Sequence, residues 1–333
     1  MTPDGLEVEI MRLCMYGNPG DRKMLSYSTA KQLIALGIAR SASAVVYECS
    51  TLPDESSVYL SIVMGGAVER PDLLERLNNS MSNTLRLAEK YKLNMELVLV
   101  EWLTRDDSPL VIDTATWPVS NIPVRIIHVP PSVQKSIPNP HGMKYLEYHA
   151  KNVGIRRSRG RFVLSSNIDV MLSEELVSLL AQEQLSDGNF YRADLHYMDR
   201  AGKVFEVHHC GEPLIPSPIY YYASGDFTMM SRADWFKIHG CPEEPYNNSV
   251  DGQTLYLATL HGLKQVIFSQ PTYHQYHDRN AAHYYSPAWD DFHPHAVKNG
   301  DGWGQAALCF QETTVLHGSG QQLSTVSFPL VKL

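Results

Sequence analysis

The apolar positions become readable at residue 58. Val58-Tyr59-Leu60-Ser61-Ile62-Val63-Met64 is a short β-branched run stopped by Gly65-Gly66, the pattern of a buried strand. Pro71 then opens a helix with Asp72 in its first turn, where a negative charge suits the dipole. Leu73, Leu74, Leu77, Met81, Leu85 and Ala88 recur at steps of three and four and give that helix one buried stripe. Met95–Val100, Val124–Val129 (closed by Pro130-Pro131) and Phe162–Ser166 predict three further strands, with a helix over Lys144–Ser158 between the last two. Strand, helix, strand, strand, helix, strand predicts an α/β body: a mostly parallel, twisted sheet with helices on both faces. Ligands of such sheets bind beyond the carboxyl ends of the strands. Gly65-Gly66, Glu101 and Asn167-Ile168-Asp169 fall at three such ends.

Residues 1–57 carry weaker signals: a helix over Ala30–Ala39 capped by Ser28 or Thr29, and a short strand at Val45-Val46-Tyr47. They are expected to form an extension before the main body. The second half of the chain is less periodic, with helices expected at Glu174–Gln184, Arg232–His239 and Asp251–His261. No low-complexity linker or repeat divides it. Residues 58–189 are read as a donor-binding half and 190–333 as the acceptor half of one body.

Composition narrows the function. The net charge of −8 argues against a nucleic-acid binder held by phosphate neutralisation. No run of about 20 apolar residues predicts a transmembrane helix, and Met1–Glu9 lacks the apolar core of a secretory signal. The five cysteines are scattered without a Cys-x-x-Cys pair, so a reduced, cytoplasmic setting is the expectation, with peripheral membrane association left open.

Four groups carry candidate chemistry. Asp169, at a strand end beside Asn167, suits a divalent cation shared with substrate phosphates, or else simply shapes a turn before a helix capped by Ser173. Lys151, Arg156, Arg157, Arg159 and Arg161 place five cations in eleven residues. They would meet a phosphate, or complement a helix C-terminus closed by Gly160. His274 and His277 stand three apart, and either would complete a coordination sphere begun by Asp169. In a fully extended segment they point to opposite faces. Glu243, Glu244 and Asp251 are candidate general bases, with Asp251 also placed to cap a helix.

The ordered set of segments resembles the nucleotide-sugar-dependent glycosyltransferases of GT-A fold, and within them a poorly characterised bacterial and viral-type, inverting branch. The resemblance spans roughly residues 58–310. It rests on Leu97–Trp102, Tyr148–Arg157, Ser165–Asp169, Phe190–Asp194, Ser224–Met230, Gly240–Glu243, Val250-Asp251 and Tyr273–His277. It implies a nucleoside-diphosphate sugar donor, a glycan or other hydroxyl acceptor, and a divalent cation, Mn²⁺ or Mg²⁺. Asn167-Ile168-Asp169 stands where the family keeps its Asp-x-Asp motif, with Asn167 in the first place and Asp169 in the metal-binding place. Glu101 falls where the base or ribose is read. Lys151, Asn152, Arg156, Asn167 and Asp226 fall with the donor, His277 and His274 with the metal, and Asp251 with the base. Two other readings remain at this point: a non-catalytic nucleotide-sugar or glycan binder on the same scaffold, and a metal-dependent hydrolase built on the histidines. The latter lacks a His-Glu-x-x-His spacing.

Overall fold

A computed structural model describes residues 5–10, 22–26, 39–41, 58–67, 71–210, 225–277, 297–317 and 324–327. The chain divides into two compact units, Met1–Leu52 with Pro329–Leu333, and Pro53–Phe328. The first holds strands β1 (Gly5–Ile10), β2 (Arg22–Ser26) and β3 (Ala39–Ser41), an antiparallel sheet in the order β2-β1-β3. Apart from Ala39, which opens β3, the helix predicted over Ala30–Ala39 lies outside the described residues. So do Val45-Val46-Tyr47.

The second unit is α/β. Its centre is the parallel set β6 (Ser120–Val129), β5 (Met95–Trp102), β4 (Leu60–Gly66) and β7 (Phe162–Asn167), in that spatial order. Antiparallel strands extend it on both sides. Beyond β6 lie β13 (Gln311–His317) and β14 (Ser324–Ser327). Beyond β7 lie β11 (Phe227–Ser231), β9 (Asn189–Met198), β12 (Lys264–His274) and β8 (Val170–Leu172), with β10 (Val204–His208) on β9. Among these outer strands β9 and β12 run parallel to each other.

Each apolar strand run is split between two faces, because successive side chains alternate. Leu60, Ile62 and Met64 face one core, with Leu97, Leu99, Phe162 and Leu164; helix α1 (Pro71–Tyr91) covers it with Leu77, Met81, Leu85 and Ala88. Short α2 (Val111–Thr114) and α5 (Glu174–Leu180) complete that layer through Val111, Leu176 and Leu180. Val63, Val98, Val100 and Val163 face the second core. There α3 (Pro131–Ser136), α4 (Glu147–Arg157), α6 (Arg232–Ile238) and α7 (Val250–Leu260) pack through Val133, Val153, Trp235 and Leu255.

Helix α1 does more than bury its stripe. A second, polar row at Arg76, Ser80 and Asn83 follows the same helical spacing and faces the β7–β8 turn. Ser80 Oγ donates to the Ile168 carbonyl (2.5 Å) and Asn83 Nδ2 to that of Leu172 (2.9 Å). At the amino ends of the central strands a separate buried network forms. Ser61 Oγ and the Arg159 N–H each donate to Glu96 Oε1 at 2.7 Å, and Arg125 pairs with Glu96 at 3.2 Å and with Glu312 at 2.8 Å.

Gly65 and Gly66 are the last two residues of β4, and the place of Gly65 is also fixed by close packing. A Cβ on Gly65 would come within 2.7 Å of Tyr145 Oη. Gly160, expected to close α4, instead lies against the backbone of Leu60 and Ser61, and Ser158 is the cap. Gly154 seats α4 on the sheet: a Cβ there would lie 2.5 Å from Val63 Cγ1 and 2.8 Å from Val100 Cγ2. Gly154→Ala sets a helix-propensity gain of about 1 kcal/mol against an overpacking cost of about 1–3 kcal/mol. The valines cannot swing away, so the cost wins. Urea denaturation should show a lower midpoint; an unchanged or higher one would mean that α4 rides up freely.

Candidate active site

The side chains that converge stand at the carboxyl end of the parallel strands. Asp169 follows β7 by two residues, in the turn to β8, and is buried. Strand β12 pairs antiparallel with β8 up to His274 opposite Val170, which delivers His274 to the same turn. The chain then leaves the strand. The Gln275 N–H donates to the Asp169 carbonyl (3.0 Å), and the Gln275 side chain ties into α1, donating to Arg76 O (2.9 Å) and accepting from Asn79 Nδ2 (3.0 Å). This bend brings His277 round to the side of His274. Extended geometry, which would have set the two histidines on opposite faces, ends at His274.

His274 Nε2 lies 3.8 Å from Asp169 Oδ1, and His277 Nε2 lies 3.6 Å from Asp169 Oδ2. One ligand atom from each of the three residues falls within 4.8 Å of the others. Ligand atoms about 2.0–2.2 Å from one ion stand roughly 3–4 Å apart, so these spacings suit a shared cation. A carboxylate with two imidazoles suits a transition ion such as Mn²⁺ better than Mg²⁺, which prefers oxygen throughout. Arg76 also reaches this carboxylate, Nη1 donating to Asp169 Oδ2.

Asn167 does not turn toward that cluster. Its Nδ2 donates to Asp226 Oδ1 (2.6 Å), and Ser166 Oγ donates to the Asp226 carbonyl (2.8 Å), which pins the start of β11 to the end of β7. Asp226 in turn acts electrostatically on Lys151, which is wholly buried in α4. Lys151 Nζ donates to Glu147 Oε1 (2.7 Å) and the Gly225 carbonyl (2.8 Å) and lies 5.0 Å over the Tyr148 ring. Burial alone would lower its pKa; the Glu147 carboxylate reverses that and holds the ammonium above the ordinary lysine range.

Lys151 also acts on Asp251, and so links the β7 end to α7. Asp251 lies within the first turn of α7; the cap is Ser249, in left-handed backbone conformation at φ 62°. The expected capping role is therefore corrected. Desolvation outweighs the Gly252 N–H (2.9 Å to Oδ1) and the Lys151 charge, and raises the Asp251 pKa to about 6.

Several candidates have other tasks. Glu101 is buried, accepting from the Val111 N–H (2.5 Å) and facing His128 Nδ1 (2.5 Å), so it fastens the loop after β5 instead of standing open to a base. Asn152 donates to Cys241 O (2.7 Å) and Glu243 Oε1 (3.1 Å) and accepts from the Cys241 N–H (2.8 Å). Glu243 further accepts from the Gly304 N–H (2.6 Å). Oε1 of Glu243 is thus tied into this knot. Burial raises the pKa of Glu243 and of Glu244, against the hydrogen bonds from Gly304 and from Tyr246 respectively. The arginines are likewise consumed. Arg156 donates to Trp303 O (3.1 Å) and lies 4.9 Å over the Trp303 ring, and Arg157 donates to the carbonyls of Gly304 (2.7 Å), Gln305 (3.0 Å) and Leu308 (2.8 Å). They stitch residues 303–308 to α4 rather than facing a phosphate. Trp303 is thus a buried packing residue. Ser173 caps α5, accepting from the Leu176 N–H (3.2 Å). Arg76, Asn79 and Gln275 were not foreseen. The signal of Arg76 and Asn79 was their place among the polar residues of α1, visible once its apolar stripe is set aside; Gln275, just past β12, had no such signal.

The sequence matches no described protein family and no curated protein. Among solved structures the chain is similar to S. aureus TarS residues 1–349 in complex with UDP-GlcNAc, at 16% identity and TM-score 0.47, over 71% of this chain and 63% of that one. It is also similar to the catalytic domain of Drosophila β1,4-galactosyltransferase 7 in complex with xylobiose, at 10% identity and TM-score 0.44, over 73% and 82%. A mutant of the latter in complex with manganese, UDP-Gal and xylobiose matches at 11% identity and TM-score 0.38, over 63% and 65%. The chain therefore spans less than two thirds of the TarS fragment.

The raised Asp251 pKa has a measurable consequence. Its folded value, about 6, lies above the unfolded value near 3.8, so the folded state holds the extra proton and ionisation between those values costs stability. Asp251→Asn removes that cost. Its melting temperature relative to the parent should rise from pH 4 to pH 8. A difference that is flat with pH would show the carboxylate to be well solvated.

Proposed function

We propose that the protein is a glycosyltransferase that moves a sugar from a nucleoside-diphosphate donor to an acceptor hydroxyl with inversion. The observation that carries this reading is the meeting of Asp169, His274 and His277 at the carboxyl end of β7, across more than 100 residues of sequence. The ordered motifs of the chain supply the reaction class.

Asp169, His274 and His277 would hold a divalent ion, with Mn²⁺ favoured by the two imidazoles. Bound there, it would neutralise the charge that grows on the departing diphosphate. Asn167 and Asp226 brace the turn that aims Asp169. Asp251, in the acceptor half, takes the proton of the attacking hydroxyl. That oxygen bonds to the anomeric carbon as the bond from carbon to the diphosphate oxygen breaks, releasing the nucleoside diphosphate. A carboxylate titrating near 6 is ionised at neutral pH yet more basic than an ordinary aspartate, which suits this role. The buried Lys151–Glu147 pair holds a fixed positive charge beside it.

A binder without turnover is the second reading, favoured by Asn167 standing in place of a carboxylate. The two separate in one assay. UDP- and GDP-sugars are offered with and without Mn²⁺, and nucleotide release is measured. Release stimulated by Mn²⁺ and lost in Asp169→Ala supports transfer; donor binding without release in every condition supports the binder.

The role of Asp251 predicts the rate. Asp251→Asn should retain donor binding and lose turnover by about 10²-fold or more. In the parent protein the rate should climb with pH along a limb centred near 6, and that limb should vanish in the variant. Unimpaired transfer by Asp251→Asn would remove the residue from the chemistry.

A further inference from the structure

The Asp169 carboxylate has two claimants. Arg76 Nη1 donates to Asp169 Oδ2, the same oxygen that lies 3.6 Å from His277 Nε2. The guanidinium does not wander. Its Nε donates to the Asp72 carbonyl (3.2 Å), its Nη2 lies 3.3 Å from Asp72 Oδ2, and the Arg76 and Asp169 side chains are 9% and 10% exposed. Water cannot readily replace either partner in such a place.

We propose that Arg76 is a resident cation that competes with the divalent ion for Asp169 and so sets the metal affinity of the triad. This inference rests on the metal reading given above. With neutral imidazoles the three ligands carry one negative charge, and Arg76 cancels it. Asn167 adds none, and Asp226 is turned toward Asn167. A divalent ion entering alone therefore meets a carboxylate already paired, beside a guanidinium that repels it and that Asp72 holds in place from its other side. A nucleoside diphosphate brings the missing negative charge. Metal and diphosphate then bind cooperatively, and by linkage each tightens the other to the same degree. Without a metal, the guanidinium keeps the buried carboxylate paired and the β7–β8 turn in place.

The test measures Mn²⁺ binding by electron paramagnetic resonance and calorimetry, with and without UDP, on the parent protein and on Arg76→Gln, Arg76→Lys and Asp169→Asn. The parent should bind Mn²⁺ weakly alone and more tightly with UDP. Arg76→Gln should bind Mn²⁺ alone about tenfold more tightly or better, a step of the size seen when groups around metal ligands are altered. It should lose most of the gain from UDP. Its metal-free melting temperature should fall below the parent's, and Mn²⁺ should raise it by more than it raises the parent's. Arg76→Lys keeps a charge in place and should stay near the parent in metal affinity, which controls for general loosening of α1. Equal or weaker Mn²⁺ binding by Arg76→Gln, with binding abolished in Asp169→Asn, would overturn the competition and leave the metal site standing. No Mn²⁺ binding by any of the proteins, with or without UDP, would overturn the metal reading and this inference together.

Discussion

The candidate site depends on one bend. At Gln275 the chain stops being strand β12 and bonds back to the turn after β7, through its own N–H to the Asp169 carbonyl. The Gln275 side chain holds α1 at the same point, through Arg76 O and Asn79. Three pieces of chain far apart in sequence are thereby fixed to one another, and each contributes a charged or ligating group: Arg76, Asp169, and the histidines on either side of the bend. The backbone groups at the bend are buried, so each must find a partner or cost roughly 1–3 kcal/mol. Those bonds narrow the bend to one geometry. A site built from hydrogen-bonded backbone is positioned more tightly than one on a free loop.

A second knot holds the acceptor half. The Asn152 side chain bonds the backbone of Cys241 on both its oxygen and its nitrogen, and Asn299 Nδ2 donates to the carbonyls of His239 (2.9 Å) and Cys241 (2.6 Å). Glu243 closes the ring through Gly304. Two segments without regular structure, His239–Glu243 and Asn299–Gly304, are thus held against α4 by side chains instead of by a sheet. Helix α7, which carries Asp251, follows directly from this knot.

What was legible in the chain follows from burial. Strands β4 to β7 are covered on both faces, so they read as apolar runs, and the stripe of α1 read as a helix for the same reason. Strand β11, Phe227-Thr228-Met229-Met230-Ser231, was noticed only as a motif, because five residues between irregular segments carry too little periodicity. The sequence put Asp169 with His274 or His277 in one coordination sphere; that both histidines reach it depends on where β12 ends, which spacing alone does not show. The partners that Glu101, Arg156 and Arg157 find within the chain were not legible either. A buried charged group is defined by partners such as the Val111 N–H or the Trp303 carbonyl, and composition cannot distinguish these from a substrate's phosphate.

Charge placement separates the two ends of the sheet. At the amino ends Glu96, Arg125 and Glu312 form an internally paired network that adds rigidity. At the carboxyl ends the charges are paired differently: Asp169 with Arg76, Asp226 with Asn167, and Lys151 between Glu147 and the two aspartates of the acceptor side. Asp251 has its pKa raised to about 6, because its strongest influence is loss of water rather than a bonded cation. Desolvation without a full partner leaves a carboxylate basic. The two aspartates are thus placed differently, Asp169 against a guanidinium and two imidazoles and Asp251 beside the Gly252 N–H and the charge of Lys151, and the difference comes from what packs beside each, not from the residue type they share.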